Sequence, residues 1–152
     1  MKKNIVKIIY TAMVLDTNKY EHTLPYWIKD LTKNMENKYF HHITLEFGFD
    51  TVQLPAYVGE YGEFSVESFR IDSNAAAYYG RFSNSSWRLD IIKSLAEQPH
   101  ITIATATGVA PVYAGMIPED KIVSKFYNYE FHGRYGAFVE FENGETGWVF
   151  EK

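Results

Sequence analysis

The tripeptide His-Ile-Thr occurs twice, at His42-Ile43-Thr44 and at His100-Ile101-Thr102. Each copy opens an alternating run, His42 to Phe47 and His100 to Thr105. In an extended strand, side chains two apart project from one face while the residue between them points the other way. Each copy therefore presents an imidazole and a hydroxyl together and buries its isoleucine. Two such strands side by side supply two proton carriers and two hydroxyl donors around one cleft. Breaking a phosphodiester next to a ribose hydroxyl needs one group to take the attacking proton and another to protonate the leaving oxygen. Histidine suits both tasks, because its unperturbed pKa of about 6.5 lies near working pH. The threonine hydroxyls can donate to the non-bridging oxygens and stabilise the developing charge. The scheme calls on no metal and no cofactor.

Taken singly, a histidine in a strand is more often a hydrogen-bonded or half-buried residue than a catalyst, and threonine and isoleucine favour strands anyway. Repetition of the same triplet, in the same strand phase and after the same kind of helix, is what lifts the functional reading above the structural one.

The elements that must position these residues follow from periodicity. Residues 4–15 read as a nearly continuous buried strand. From about Leu24 to Met35 the apolar residues recur at three and four, an amphipathic helix entered through Pro25. The first His-Ile-Thr strand follows, then a connection from about Gly48 to Gly62. Phe64 to Ile71 and Ala75 to Phe82 read as a hairpin across Asp72-Ser73-Asn74. Ser85 or Ser86 caps a second helix, with Trp87, Leu89, Ile91, Ile92 and Leu95 on its apolar side. Pro99 stops it, and the second His-Ile-Thr strand begins. A loop, Gly108 to Asp120, suits a flap over the cleft. Lys121 to Phe131 reads as a strand, a Gly133-Arg134-Tyr135-Gly136 turn follows, and Tyr135 to Glu142 pairs with Glu145 to Phe150 across Asn143-Gly144. Helix, motif strand, hairpin, helix and motif strand thus recur in order. The expectation is a single α+β domain, residues 1–152, whose two lobes are related by an approximate two-fold axis, with antiparallel sheets around a central cleft and helices outside.

Composition narrows the ligand. The chain has 152 residues, 46% hydrophobic and 17% aromatic, enough for a sizeable core. Its formal net charge is −4 and no basic run exceeds Lys2-Lys3, so the basic stripe of a protein that tracks long nucleic acids is absent. Twelve tyrosines and eleven phenylalanines leave aromatic faces for a small nucleotide. No apolar run reaches the length of a membrane span, there is no signal-peptide pattern, and there is no cysteine. These features lead us to expect a cytoplasmic protein without a membrane partner.

The paired His42-Ile43-Thr44-Leu45 and His100-Ile101-Thr102-Ile103 resemble the His-x-Thr-x motifs of the two-histidine (2H) phosphoesterases, and the order of elements is similar over most of the chain. One departure is that no Arg or Lys closely follows the second motif, so phosphate neutralisation has to come from elsewhere. Within that superfamily, the small size and aromatic C-terminal end look like the phage anti-CBASS proteins, which degrade cyclic oligonucleotide signals of bacterial antiphage immunity. The resemblance implies metal-independent hydrolysis of a 3′–5′ bond in a cyclic di- or trinucleotide, in the host bacterial cytosol. It assigns His42, Thr44, His100 and Thr102 to catalysis, and Tyr10, Glu142 and Trp148 to holding a base. On the residues alone, Tyr10 and Trp148 suit core or rim packing equally well, and Glu142 suits a solvated position beside a turn. The rival readings are an enzyme that opens RNA 2′,3′-cyclic phosphate ends and a non-catalytic protein that sequesters a nucleotide. His41 is expected to face away from His42. His22 and His132 show no partners at ligand spacing, which leaves no metal site expected.

Overall fold

A computed structural model describes residues 4–16, 24–83 and 98–151. The alternating apolar segments form eight strands: β1 (Ile5–Leu15), β2 (Asn37–Lys38), β3 (His42–Phe47), β4 (Tyr61–Ile71), β5 (Ala75–Ser83), β6 (His100–Thr105), β7 (Ile122–Phe141) and β8 (Thr146–Val149). One short helix, α1 (Tyr26–Leu31), precedes β2. Two 3₁₀ turns, Pro111–Met116 and Glu119–Lys121, connect β6 to β7. The second helix expected from the sequence, with Trp87, lies outside the described residues, as does His22. No helix among the described residues is long and apolar enough to cross a membrane.

Every strand pairing is antiparallel. The order runs β1-β3-β6-β5-β4-β7, and β7 pairs again with β1, so the sheet closes on itself. β8 extends β7, and β2 adds to β6. Closure gives the sheet an enclosed face, which the strict alternation of side chains fills. Met13 and Leu15 from β1, Ile43 and Leu45 from β3, Ile101 and Ile103 from β6, and Phe64, Phe69, Tyr78 and Phe131 form its main core. The alternate residues of β1, β3, β5 and β6 are left on the opposite face, and both histidine motifs lie there.

Three local expectations change. The first helix is six residues long, not the span from Leu24 to Met35: Thr32 caps it, its hydroxyl donating back to the Ile28 carbonyl at 2.9 Å. Side-chain bonding of this kind competes with continuation of a helix. Asn37–Lys38, unassigned in sequence, pairs with Thr105 and Ala104. The third change concerns Gly133 to Gly136, which is not a turn but the middle of the twenty-residue β7. These glycines serve close approach. A Cβ at Gly133 would collide with the Val14 carbonyl, and one at Gly136 would come 2.7 Å from the Phe150 ring.

The two hairpins form as their turn residues predict. Asp72 Oδ1 accepts from the backbone of Asn74 and Ala75 at 2.8 and 3.0 Å, closing the β4–β5 turn. Gly144 adopts φ +84° between β7 and β8, where only glycine is at ease. That hairpin sets Trp148 opposite Phe138.

Candidate functional site

β3 and β6 lie side by side with Ile43 opposite Ile101. In an antiparallel pair that register puts His42 across from Thr102 and Thr44 across from His100. Both isoleucines are fully buried, so all four polar side chains occupy the other face, where each is half-buried. Directly opposed residues stand about 5 Å apart, and diagonal ones about 7–8 Å apart, which sets the spacing of the two imidazole-bearing positions.

Each imidazole has its own tyrosine. Tyr10, on β1, stacks on His42 with centroids 5.6 Å apart and planes at 29°. Tyr79, on β5, stacks on His100 at 5.6 Å and 27°. The two neighbouring strands thus wall the motif strands in the same manner from opposite sides.

His100 is held on three sides. Its Nδ1 lies 3.1 Å from the Gln98 carbonyl, and a carbonyl only accepts, so Nδ1 carries the proton and Nε2 is left for other partners. Gly115, in the first 3₁₀ turn, lies against the ring: a Cβ there would come 2.6 Å from His100 Cε1. The Tyr79 hydroxyl fastens this turn, accepting from the Ile117 N–H at 3.0 Å and donating to the Ala114 carbonyl. Arg70 lies 4.0 Å from the Tyr79 ring centre and donates to the Ile117 carbonyl at 2.9 Å. The loop from Gly108 therefore covers part of the site, through one glycine laid on the catalytic candidate.

His42 is set among aromatic rings. Trp148 on β8 lies 5.7 Å from it and meets Tyr10 edge-on at 5.6 Å. Phe138 packs beside both, 5.5 Å from Tyr10 and 5.2 Å from Trp148. Phe47, two-thirds exposed, stands 5.9 Å from Tyr10. Tyr10 and Trp148 are thus brought to His42. Glu142 is not. It is exposed at the β7–β8 turn, accepting from Asn4 Nδ2 at 3.2 Å. It lies four residues beyond Phe138, about 13 Å along an extended chain.

His41 overturns its expected orientation. Its Nδ1 lies 3.0 Å from His42 Nδ1. Alternation does not extend to it, because β3 begins at His42 and Phe40 takes φ +87°. A phenylalanine rarely adopts that conformation. Here both its ends are held: its N–H donates to the Thr102 carbonyl at 2.9 Å, and its ring packs edge-on against Phe131 at 5.3 Å.

Electrostatics favour neutral imidazoles in the free protein. Burial pushes His42 down to about 4, helped by the neighbouring His41 and His100. Burial also lowers His100, but the Gln98 carbonyl opposes it by favouring the protonated ring. His41 is lowered by burial.

Away from this face, His132 does have partners. Its Nδ1 lies 3.4 Å from Glu63 Oε1, its cross-strand neighbour, and Glu130 brings a third potential ligand atom, all within 4.8 Å of one another. Glu130 and His132 are exposed, and Glu130 also accepts from Ser65 Oγ at 3.3 Å. Arg134, read from sequence as part of a turn, donates from Nε to the Gly59 carbonyl at 3.0 Å and lies between the Tyr61 and Phe150 rings.

Sequence reasoning missed the placement of Tyr79, Gly115, Arg70 and His41 around the motif histidines. The first three acquire meaning only from the β5–β6 register and the path of the following loop. No family model matches the chain, and no curated protein matches it.

Proposed function

We propose that this chain is a metal-independent phosphodiesterase that opens 3′–5′ bonds in cyclic di- or trinucleotide immune signals, a viral enzyme of counter-defence in the bacterial cytosol. The observation that carries this reading is the in-register pairing of two His-Ile-Thr strands, with both imidazoles on one half-buried face and a tyrosine stacked on each. The same features support the finer reading of the fold as like that of a 2H phosphoesterase. In the strand order β1 flanks β3 as β5 flanks β6, and the Tyr10–His42 stack on one side has a counterpart in the Tyr79–His100 stack on the other. That likeness supports two lobes related by approximate symmetry.

The reaction runs in two steps. In the first, neutral His42 removes the proton of a ribose 2′-hydroxyl, whose oxygen attacks the adjacent phosphorus. The bond from phosphorus to the 5′ oxygen breaks, and His100 protonates that oxygen. The environments favour this division of labour. His42 faces two other imidazoles, which disfavour a charge, whereas the Gln98 carbonyl favours one on His100. An anionic phosphate between the rings favours the protonated form of both, and the proton is assigned to His100 because the Gln98 carbonyl accepts from its Nδ1. In the second step the roles reverse. His100 takes a proton from water, the water oxygen attacks the 2′,3′-cyclic phosphate, and His42 returns its proton to the departing 2′ oxygen. A 3′-phosphate remains. Thr44 and Thr102, each opposite the other strand's histidine, donate to the non-bridging oxygens. Tyr10 and Trp148 offer the faces on which a base stacks, a contact worth about 1–3 kcal/mol.

The test is incubation of the purified chain with a panel of cyclic di- and trinucleotides and an RNA bearing a 2′,3′-cyclic phosphate end, with a chelator present, followed by chromatography. Linear products from the cyclic substrates, and none from their 2′-deoxy analogues, are expected. Intact ligand recovered from a stable complex instead establishes sequestration and ends the enzymatic reading. Cleavage confined to the RNA end establishes the repair-type activity.

A further inference from the structure

We infer that His41 is a positioning residue for His42: its Nδ1 accepts the Nδ1–H of His42 and so turns the His42 Nε2 toward the reacting phosphate. This rests on the phosphodiesterase reading above and adds to it a residue that stands outside the repeated motif.

The geometry is specific. The two Nδ1 atoms are 3.0 Å apart, close enough for a hydrogen bond that needs one proton between two nitrogens. Both forms in which His42 works place that proton on His42. As a base it needs a free lone pair on Nε2, so its proton sits on Nδ1. As an acid it is an imidazolium and carries protons on both nitrogens. Only the idle form, with Nδ1 bare, requires His41 to donate. An acceptor at His41 therefore selects the working tautomer in both steps, as partners of a catalytic or metal-bound imidazole commonly do.

The chain also holds His41 in place. The left-handed Phe40 turns the backbone, and the His41 carbonyl accepts from the Leu15 N–H at 2.9 Å. Trp148 flanks the His41 ring at 5.8 Å, so the two imidazoles and the indole form one packed group. Bulky residues in a left-handed conformation are costly and persist where the surroundings over-determine them. Here the result of that conformation is the side-by-side placement of adjacent imidazoles. Among the described residues, the titratable groups facing His42 are Tyr10 from β1, His100 from β6 and His41 itself, while β8 contributes the indole.

The matching contact at the other motif has the same sense. His100 Nδ1 donates to the Gln98 carbonyl, which leaves Nε2 toward the substrate. A backbone carbonyl serves one half of the site and a neutral imidazole serves the other.

The test is a long-range proton–nitrogen correlation spectrum of the imidazoles in the whole, ligand-free chain near neutral pH, with His42 assigned through His42→Gln. Wild-type His42 is expected to carry its proton on Nδ1. His41→Ala should shift it toward the Nε2–H form, and His41→Asn, whose amide oxygen also accepts, should restore Nδ1–H. With a cyclic dinucleotide, His41→Ala should lower kcat about ten-fold or more at unchanged KM, and His41→Asn should recover most of the loss. A wild-type His42 protonated on Nε2 overturns the inference without recourse to any variant, as does a tautomer unmoved in His41→Ala. Absence of turnover in every protein removes the phosphodiesterase reading instead, and the spectra still decide the histidine pair.

Discussion

Ile43 lies directly opposite Ile101 in the β3–β6 pair, with both side chains fully buried. That contact sets the site, because a slip of either strand by one residue would send that strand's imidazole and hydroxyl into the core. Registry is thus enforced by the apolar half of each motif while the chemistry is carried by the polar half.

Replacing either histidine should expose that division. His42→Ala and His100→Ala are each expected to lower turnover by at least about 10²-fold, the low end for a lost proton-transfer group. Their thermal midpoints at neutral pH should fall less than those of the core truncations below, since both side chains are half-buried on the face opposite the core. Turnover within a few-fold of wild type in either variant would falsify the two-histidine mechanism.

Truncating the isoleucines should have the opposite profile. Ile43→Ala or Ile101→Ala removes a fully buried side chain, for which about 2–5 kcal/mol of stability is usual. Denaturant titration measures this directly. A loss of well under 1 kcal/mol would mean that these side chains do not pack as described.

The depressed His42 pKa also makes a statement about stability. A histidine held at about 4 when folded, against about 6.5 when unfolded, binds fewer protons in the native state. Its contribution is therefore full above pH 6.5 and is lost as pH falls from there toward 4. Thermal midpoints measured across that window should decline more steeply for wild type than for His42→Ala. Parallel curves would show that the ring titrates near its ordinary value.

Much of this was legible in the chain, for physical reasons that differ by element. Strands β3 and β6 begin at their histidines because alternation, with apolar residues at every second position, leaves no other phase. The hairpin turns were readable from Asp72 and from Asn143-Gly144, whose side chain and backbone freedom act locally. What escaped depended on distant partners. Gly133 and Gly136 have the composition of a turn, but they are small because Val14 and Phe150 crowd them. Alternation extended back by one residue places His41 on the far face. Only the left-handed Phe40 corrects that, and nothing in a phenylalanine announces it. Tyr79 could not be singled out among twelve tyrosines without the strand order.

Gly115 offers a probe of the loop over His100. A methyl group there would come 2.6 Å from Cε1 and 3.2 Å from both ring nitrogens, so either the turn or the imidazole must move. Misplacement of a reacting group by an ångström can cost about 10²-fold. Gly115→Ala is expected to reduce kcat by roughly ten-fold or more, and to shift the His100 imidazole resonances in the ligand-free protein. Wild-type kinetics with unshifted resonances would place the loop away from the ring.

Trp148 and Glu142 separate base stacking from mere proximity in sequence. Trp148 touches Tyr10, His41 and His42, so Trp148→Ala removes a stacking face next to the reacting group. Loss of about 1–3 kcal/mol raises KM by roughly 5- to 150-fold. Glu142 points instead to Asn4 at an exposed turn. Glu142→Gln keeps the shape and removes the charge, and KM should stay within two-fold or so of wild type if no substrate group reaches this turn. A large rise in KM for Glu142→Gln, with Trp148→Ala inert, would move the base-binding surface from the His42 cluster to the tip of the β7–β8 hairpin.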